Sequence, residues 1–546
     1  MKKWIFTMVV CILSMLSLTV YAEVKEADYH VIPLPQKVTP SQCRPFLLSA
    51  ATRIIVIHHS KQLVHEANFL AGYIYQATGF RPTVSLDNHP SFHHAILLSF
   101  DNNIKKSDGY LLEVNSNTIS IKGNSAAGVF YGVQTLRKSI PAISIGCTVS
   151  FPGVTILDYP RFSYRGMHLD CSRHFFSADE VKRYIDLLAL HNMNIFHWHL
   201  SDDQGWRIEI KKYPRLTTVG SKRSCTIADF RKNIYDSIPY GGFYTQDQIR
   251  QIIAYAAARH ITIIPEIDMP GHMLAALASY PELGCTGGPY SVGTTWGVFN
   301  DVLCVGKENT FKFVKDVLDE VMSLFPSKLI HIGGDEVPRD RWKACPLCQK
   351  RIADEGLKAD GKFSAEDHLQ SYFMARIEKY LNSKGRSIIG WDEILDGDVS
   401  PNATVMSWRG TKGGETAARL KHHVIMTPTD YAYFDYYQIE DKTKDSLSFG
   451  ACTTVDKVYN AEPIPLSLSP SESKYILGVQ GNLWSEYIPS AANMEFKALP
   501  RMSAMSELQW TEPARKNYDD FILRLPRLME FFKRDGYHFA TYVLQK

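Results

Sequence analysis

The stretch Leu329-Ile-His-Ile-Gly-Gly-Asp-Glu-Val-Pro338 decides how this chain reads. An apolar, β-prone run enters two glycines and emerges in two adjacent carboxylates, Asp335 and Glu336. Neighbouring residues of a regular strand point to opposite faces. The two acids can therefore serve one site only if the backbone leaves strand geometry, which Gly333 and Gly334 permit. Adjacent carboxylates repel when both are ionised, so one is expected to keep its proton near neutral pH and act as a general acid. The plainer alternative is a polar loop that happens to contain an acidic pair.

Outward from this stretch, strand and helix alternate. Candidate strands fall at 165–169, 194–199, 261–266, 328–332, 387–391, 404–407, 424–427 and 476–480. Helix starts are marked by capping boxes, Ser177-Ala-Asp-Glu180 and Thr245-Gln-Asp-Gln248, in which two side chains satisfy free backbone N–H groups. Further helices are expected at 310–324, 366–383 and 414–421 and from about 492. Eight such units predict an α/β fold, a (β/α)8 TIM barrel over 156–546 that includes C-terminal helices. The helices after the fifth and seventh strands are poorly marked, and 430–473 reads as an irregular loop. Residues 28–155 read as a small α+β domain, with strands at 53–57 and 95–99, a hairpin about Asn115-Ser-Asn117, helices at 63–78 and 126–138, and a linker at 152–160.

A chain of 546 residues exceeds one ordinary domain, in keeping with two units. Lys2 and Lys3, the apolar run 4–16 and Val20-Tyr21-Ala22 read as a secretory signal peptide over 1–22, implying export to the periplasm or the extracellular space. No later run has the length of a membrane span. The net charge of +3 falls to +1 without the two signal lysines, so nothing calls for a nucleic-acid partner. Nine of the ten cysteines follow the signal, an odd number. Cys285 and Cys304, which bracket a Gly-rich segment, are the first candidate disulfide. Cys345-Pro-Leu-Cys348 reads as a short disulfide, half a metal site or free thiols; without a second Cys-x-x-Cys, structural zinc is disfavoured.

A barrel of this kind carries its active site on the loops after the strands. Polar and aromatic residues collect there: His197-Trp-His-Leu-Ser-Asp-Asp-Gln-Gly-Trp-Arg207 after the second strand, Glu266-Ile-Asp-Met-Pro-Gly-His272 after the third, and the acidic pair after the fourth. The fifth gives Trp391-Asp-Glu393, the sixth Trp408-Arg409, the seventh Tyr433-Phe-Asp435 and the eighth Trp484-Ser-Glu486. One such tryptophan is as readily a gap-filler as a ligand wall. Together they suit a sugar, whose C–H face packs on aromatic rings while acids and arginines hold its hydroxyls. The His and Asp residues here are also metal-ligand types, but no HExxH helical pair is present. A chain in which Asp202 holds His272 and His272 tunes Glu336 is a sharper alternative to plain structural hydrogen bonding.

These blocks resemble glycoside hydrolase family 20, the β-N-acetylhexosaminidases. His331-Ile-Gly-Gly-Asp-Glu336 is similar to the family's catalytic signature. Tyr164-Arg-Gly-Met-His-Leu-Asp170, the 197–207 block, Pro270-Gly-His272 and Tyr433-Phe-Asp435 match other blocks in order, and the small domain resembles the family's non-catalytic domain. The resemblance implies an exo-acting, retaining enzyme without cofactor or metal, acting on glycans with a terminal β-linked GlcNAc or GalNAc. In its mechanism the substrate's own 2-acetamido oxygen attacks the anomeric carbon to give an oxazolinium-type intermediate. Carried onto this sequence, Glu336 is the acid and base, with a raised pKa, and Asp335 orients the acetamido N–H. Tyr433 holds the acetamido oxygen; His272 and Asp202 support the acid if the Asp202–His272–Glu336 chain forms. Trp391, Trp408 and Trp484 wall the pocket. Arg165, Asp435 and Glu486 bind hydroxyls, Arg165 reaching up from near the start of the first strand. Alternatives are a disaccharide-releasing member of the family, distinguished by pocket depth, and a non-catalytic glycan-binding protein, which would not need the retained acid pair. A metal-dependent barrel hydrolase is a third, distinguished by sensitivity to chelation.

Overall fold

The computed structural model describes residues 23–57, 61–87, 92–398 and 402–544, and the signal-peptide expectation over 1–22 lies outside them. Eight parallel strands close a barrel: Tyr164–Asp170, Ile195–His199, Thr262–Glu266, Leu329–His331, Ser387–Trp391, Thr404–Ser407, Val424–Met426 and Ile476–Gly481. All eight fall where the apolar runs predict them. The first is buried at every residue, as expected when a barrel covers both faces of its sheet.

The surrounding helices start where their caps say. At Ala178–Leu190 the Glu180 N–H donates to Ser177 Oγ, and the Ser177 N–H donates to Glu180 Oε2 at 2.7 Å. Gln246–Ala257 repeats this with Thr245 and Gln248. Helices Glu308–Leu324, Ala365–Ser383 and Lys412–Arg419 cover the next strands. Among the described residues, the fifth strand is followed only by a 3-10 turn, Asp392–Leu395, and the seventh only by short helical pieces, the longest being Val455–Asn460. Those are the two places where the sequence lacks a helical period.

Inside the barrel, Tyr164, Ile264, Ile389, Met406 and Ile425 form an apolar lower layer. Above it the packing is polar. Register sets His199 level with Glu266 and Glu266 level with His331, so the Glu266 carboxylate meets His199, His197 and His331 at 2.5, 3.0 and 3.0 Å.

The small domain is a seven-stranded mixed sheet with helices Lys61–Thr78 and Ala126–Ser139 packed together on it. Its hairpin, Tyr110–Val114 with Thr118–Gly123, turns at the expected residues. The expected linker at 152–160 is instead part of this sheet: Val154–Asp158 pairs with both Tyr110–Val114 and Lys37–Pro40. Its alternating apolar pattern, Val154, Ile156 and then buried Asp158, is that of a half-buried strand. Asp158 accepts from Tyr110 Oη and from the indole of Trp510 on helix Arg501–Trp510, which fastens the sheet to the C-terminal helices.

No disulfide joins Cys285 to Cys304. The nine described cysteines are all free, and these two instead approach Cys345 and Cys348 from a neighbouring loop. Among the described residues no helix is long and apolar enough to cross a membrane.

Candidate active site

The fourth strand ends at His331, and the chain then turns through Gly333 (φ 68°) and Gly334 (φ 101°) into Asp335 and Glu336. A Cβ on Gly333 would sit 1.6 Å from Asp268 Oδ1, so only glycine fits. Glu336 itself is left-handed at φ 48°, and His272, which faces it, at φ 52°. Such backbone costs energy for non-glycine residues and collects at functional sites. The bend brings both acids to one cavity of about 260 Å³, below the roughly 300 Å³ at which pockets for drug-sized ligands begin. It is a space for one ring. Trp391, Trp408, Trp484 and Tyr433 wall it, and Arg173, Asp435 and Glu486 supply polar atoms.

The walls are fixed through their polar edges. Trp391 donates its indole N–H to Glu266, and Trp408 donates to Glu393, each at 2.9 Å. The Trp391 and Trp484 rings lie 5.7 Å apart, and Trp408 stacks on Tyr433 at 6.3 Å. Tyr436 and Phe449, from the irregular loop after the seventh strand, complete the rim.

Charge reaches this pocket through an alternating chain. Glu266 pairs with His199, and His199 pairs with Asp202 at 2.9 Å. Asp202 takes Arg173 at 2.9 Å and His272 at 3.3 Å. The shorter contact of the His272 ring is to Asp203, 3.1 Å from Nδ1, so two aspartates rather than Asp202 alone hold it. From its other nitrogen, Asp335 lies at 3.7 Å and Glu336 at 3.6 Å. Burial works against a charge on His272, but Asp202 and Asp203 overcome it and keep the ring protonated well above its ordinary range. Asp202 in turn is held ionised against burial by Arg173 and His272.

The acid pair is polarised in the opposite sense to the expectation. Contact with the His272 imidazolium holds Glu336 below its ordinary range. Burial pushes Asp335 up to about 6; His272 pulls against this, while Glu266 and Glu336 add to it. The reason is exposure: in the open pocket the Glu336 side chain is 42% exposed and Asp335 only 12%. Deeper in, burial and the Asp335 charge raise Glu393 to about 8. Burial raises Glu486 to about 7 against the pull of Arg173, and burial and Glu486 raise Asp435 well above the ordinary range.

Ten of the eleven expected residues, Glu336, Asp335, Tyr433, His272, Asp202, Trp391, Trp408, Asp435, Trp484 and Glu486, gather at this pocket or directly behind it. Arg165 does not. It sits at the opposite end of the first strand, buried, bonding Asn192 O, Phe162 O, Tyr131 Oη and Asp108 Oδ2. It joins the barrel to the small domain. The arginine in the pocket is Arg173, beyond the carboxyl end of that strand, with its guanidinium 5.0 Å from the Trp484 ring. Its position in Asp170-Cys-Ser-Arg173 after a strand was the available signal, since that is where a barrel places ligand residues. Asp203 was legible in the same way. Tyr436 and Phe449 were not, because nothing in an irregular loop announces which side chain folds inward.

Comparison with known proteins identifies the family of both domains. The family model "Glycosyl hydrolase family 20, catalytic domain" matches residues 162–513, and "Glycosyl hydrolase family 20, domain 2" matches residues 28–159. A β-hexosaminidase of Porphyromonas gingivalis is 43% identical over 538 residues, covering 96% of this chain and 67% of that protein. The solved structure of a GH20 β-N-acetylhexosaminidase from Streptomyces coelicolor superposes with a TM-score of 0.80 at 32% identity, covering 94% of this chain and 97% of that one. A GH20 exo β-N-acetylglucosaminidase from Vibrio harveyi, solved with N-acetylglucosamine, gives 0.82 at 30%, covering 95% and 79%. With both domains matched and the acid pair seated in a one-ring pocket, the chain belongs to glycosyl hydrolase family 20.

Proposed function

We propose that this glycoside hydrolase is an exo-acting β-N-acetylhexosaminidase that removes one terminal β-linked N-acetylhexosamine at a time, with the substrate's acetamido oxygen as nucleophile. One observation carries the reading. Three carboxylate oxygens at the pocket, Asp335 Oδ1, Asp435 Oδ1 and Glu486 Oε2, are buried without a hydrogen-bond partner. Buried acceptors are normally satisfied, so these call for donors from a ligand. A 2-acetamido sugar supplies them as one amide N–H and ring hydroxyls.

In this reading the acetamido N–H donates to Asp335 and the Tyr433 hydroxyl donates to the acetamido oxygen. Arg173, Asp435 and Glu486 grip the hydroxyls, and the tryptophans pack the ring faces. The acetamido oxygen bonds to C1 as the glycosidic bond breaks, and Glu336 gives its proton to the leaving oxygen. Glu336 then takes a proton from the water that opens the oxazolinium ring from the same face, so configuration is retained. A bound sugar covers Glu336, which raises its pKa, and hydrogen-bonds Asp335, which lowers that of Asp335. Substrate thereby moves the proton from the orienter to the acid, and the inverted polarisation of the open pocket becomes the working one. The ring-sized volume favours release of a monosaccharide over a disaccharide. The basic and apolar composition of residues 1–22 supports export to the periplasm or beyond, which a mature N-terminus immediately after Ala22 would verify.

Hydrolysis of a chromogenic β-N-acetylglucosaminide tests the mechanism. Glu336→Gln should lose about 10²–10⁴-fold in kcat, and Asp335→Asn a comparable amount. The matching glucoside, without an acetamido group, should react very poorly. Rapid cleavage of the plain glucoside, or an unimpaired Glu336→Gln enzyme, would overturn this assignment.

A further inference from the structure

Four cysteines distant in sequence meet where two neighbouring loops of the barrel come together. Cys285 and Cys304 lie on the loop after the third strand, Cys345 and Cys348 on the loop after the fourth. All four sulfurs lie within 4.8 Å of one another. Cys285 and Cys348 are 3.8 Å apart, Cys304 and Cys345 3.7 Å, and Cys304 and Cys348 3.6 Å. A tetrahedral zinc with bonds of about 2.3 Å sets its four sulfurs about 3.8 Å apart. Two disulfides would instead give each sulfur a single partner, whereas Cys304 stands equally near Cys345 and Cys348.

The surroundings are built for thiolates. Cys348 lies in the first turn of helix Pro346–Asp354, whose unpaired N–H groups favour negative charge. Gly306, two residues after Cys304, packs closely against the Leu347–Cys348 peptide. That approach needs glycine, because a Cβ on Gly306 would lie 2.3 Å from the Leu347 carbonyl carbon. Cys304, Cys345 and Cys348 are buried and Cys285 partly so. The sequence argued against zinc for want of a second Cys-x-x-Cys, but the missing ligands come singly from another loop.

We propose that Cys285, Cys304, Cys345 and Cys348 bind one structural zinc ion that ties the loop after the third strand to the loop carrying Asp335 and Glu336. Four protein ligands fill a tetrahedral shell and leave no open position, so the ion stabilises and does not catalyse. Binding releases four thiol protons to make a centre of net charge −2.

Elemental analysis and native mass spectrometry of the full chain, purified without chelator, test the proposal. The expected result is about one zinc per chain, with a charge-corrected mass of the reduced protein plus one zinc less two protons, as a −2 centre requires. The Cys345→Ser/Cys348→Ser variant should lose that zinc. Cobalt substitution of the unmodified chain should give the intense visible and charge-transfer bands of tetrahedral thiolate cobalt, a readout that does not depend on any variant folding. A zinc-free protein whose four thiols alkylate in the native state would overturn the proposal, as would disulfides found among these four cysteines by peptide mapping, or iron in place of zinc.

Discussion

Arg165 sits near the start of a seven-residue strand and Arg173 just beyond its far end, and a strand of that length separates its ends by roughly 20 Å. Chemistry alone fits either as the hydroxyl-binding arginine; position decides. Arg173→Ala should lower kcat/KM by about 100-fold, since it removes a charged hydrogen-bond partner from ligand and Asp202 alike. Arg165→Met should leave KM unchanged and lower the thermal midpoint, because Asp108 and two backbone carbonyls lose a buried donor. Steady-state kinetics beside thermal melts separate the two, and a raised KM in Arg165→Met would return that residue to the pocket. The histidine yields a pH prediction. Asp335, raised to about 6 mainly by burial, must be ionised to accept the acetamido N–H, so kcat/KM should fall as pH drops through about 6. His272 pulls that pKa down, so in His272→Gln the acidic limb should move to higher pH. A limb that stays in place would detach His272 from the acid pair.

At the scale of elements, the strands were legible because a buried parallel strand is a short continuous apolar run, and the helices because capping boxes mark their starts. The strand Val154–Asp158 was misread as linker because its flanking prolines outweighed a two-residue alternation in a short segment. The pocket was legible in part. Residues next to a strand end inherit their place from the strand, as Asp335 and Trp391 do, whereas Phe449 depends on the path of a loop with no period of its own. The register of the buried histidines was not legible at all, since it follows from how neighbouring strands align across the sheet. The glycine turn is the sharpest test of element geometry. Gly333→Ala places a methyl against the Asp268 carboxyl at a φ that disfavours side chains. It should cost on the order of 2–4 kcal/mol of stability and, by swinging Asp335 and Glu336 out of register, at least about 100-fold in kcat. Chemical denaturation and kinetics on the same variant read both. Full activity in Gly333→Ala would mean that the turn tolerates what the packing forbids.

At the scale of the whole molecule, the pocket stores acids that folding alone would not choose. Burial lifts Asp335 to about 6, Glu486 to about 7 and Glu393 to about 8, each above its value in an unfolded chain. Between the unfolded carboxylate range and these values the native chain binds more protons than the unfolded one, so stability falls as pH rises through that window. Other carboxylates act in reverse. Glu308, held at about 2 by Arg376 and Arg351, and Asp316, brought to about 2 against burial by Lys212 and Lys312, give up their stabilisation as pH drops below the unfolded range. Glu308 is exposed and Asp316 only partly buried, so their share is reduced by solvent. Stability of the ligand-free enzyme should therefore peak near pH 5 and decline toward pH 8. The Glu486 contribution to that decline is on the order of 2–3 kcal/mol. Glu486→Gln, which keeps shape and removes the charge, should flatten the decline while weakening substrate binding. Thermal midpoints of both proteins across pH 4.5–8 measure the difference, and parallel curves would show that the buried pocket acids do not carry this pH dependence.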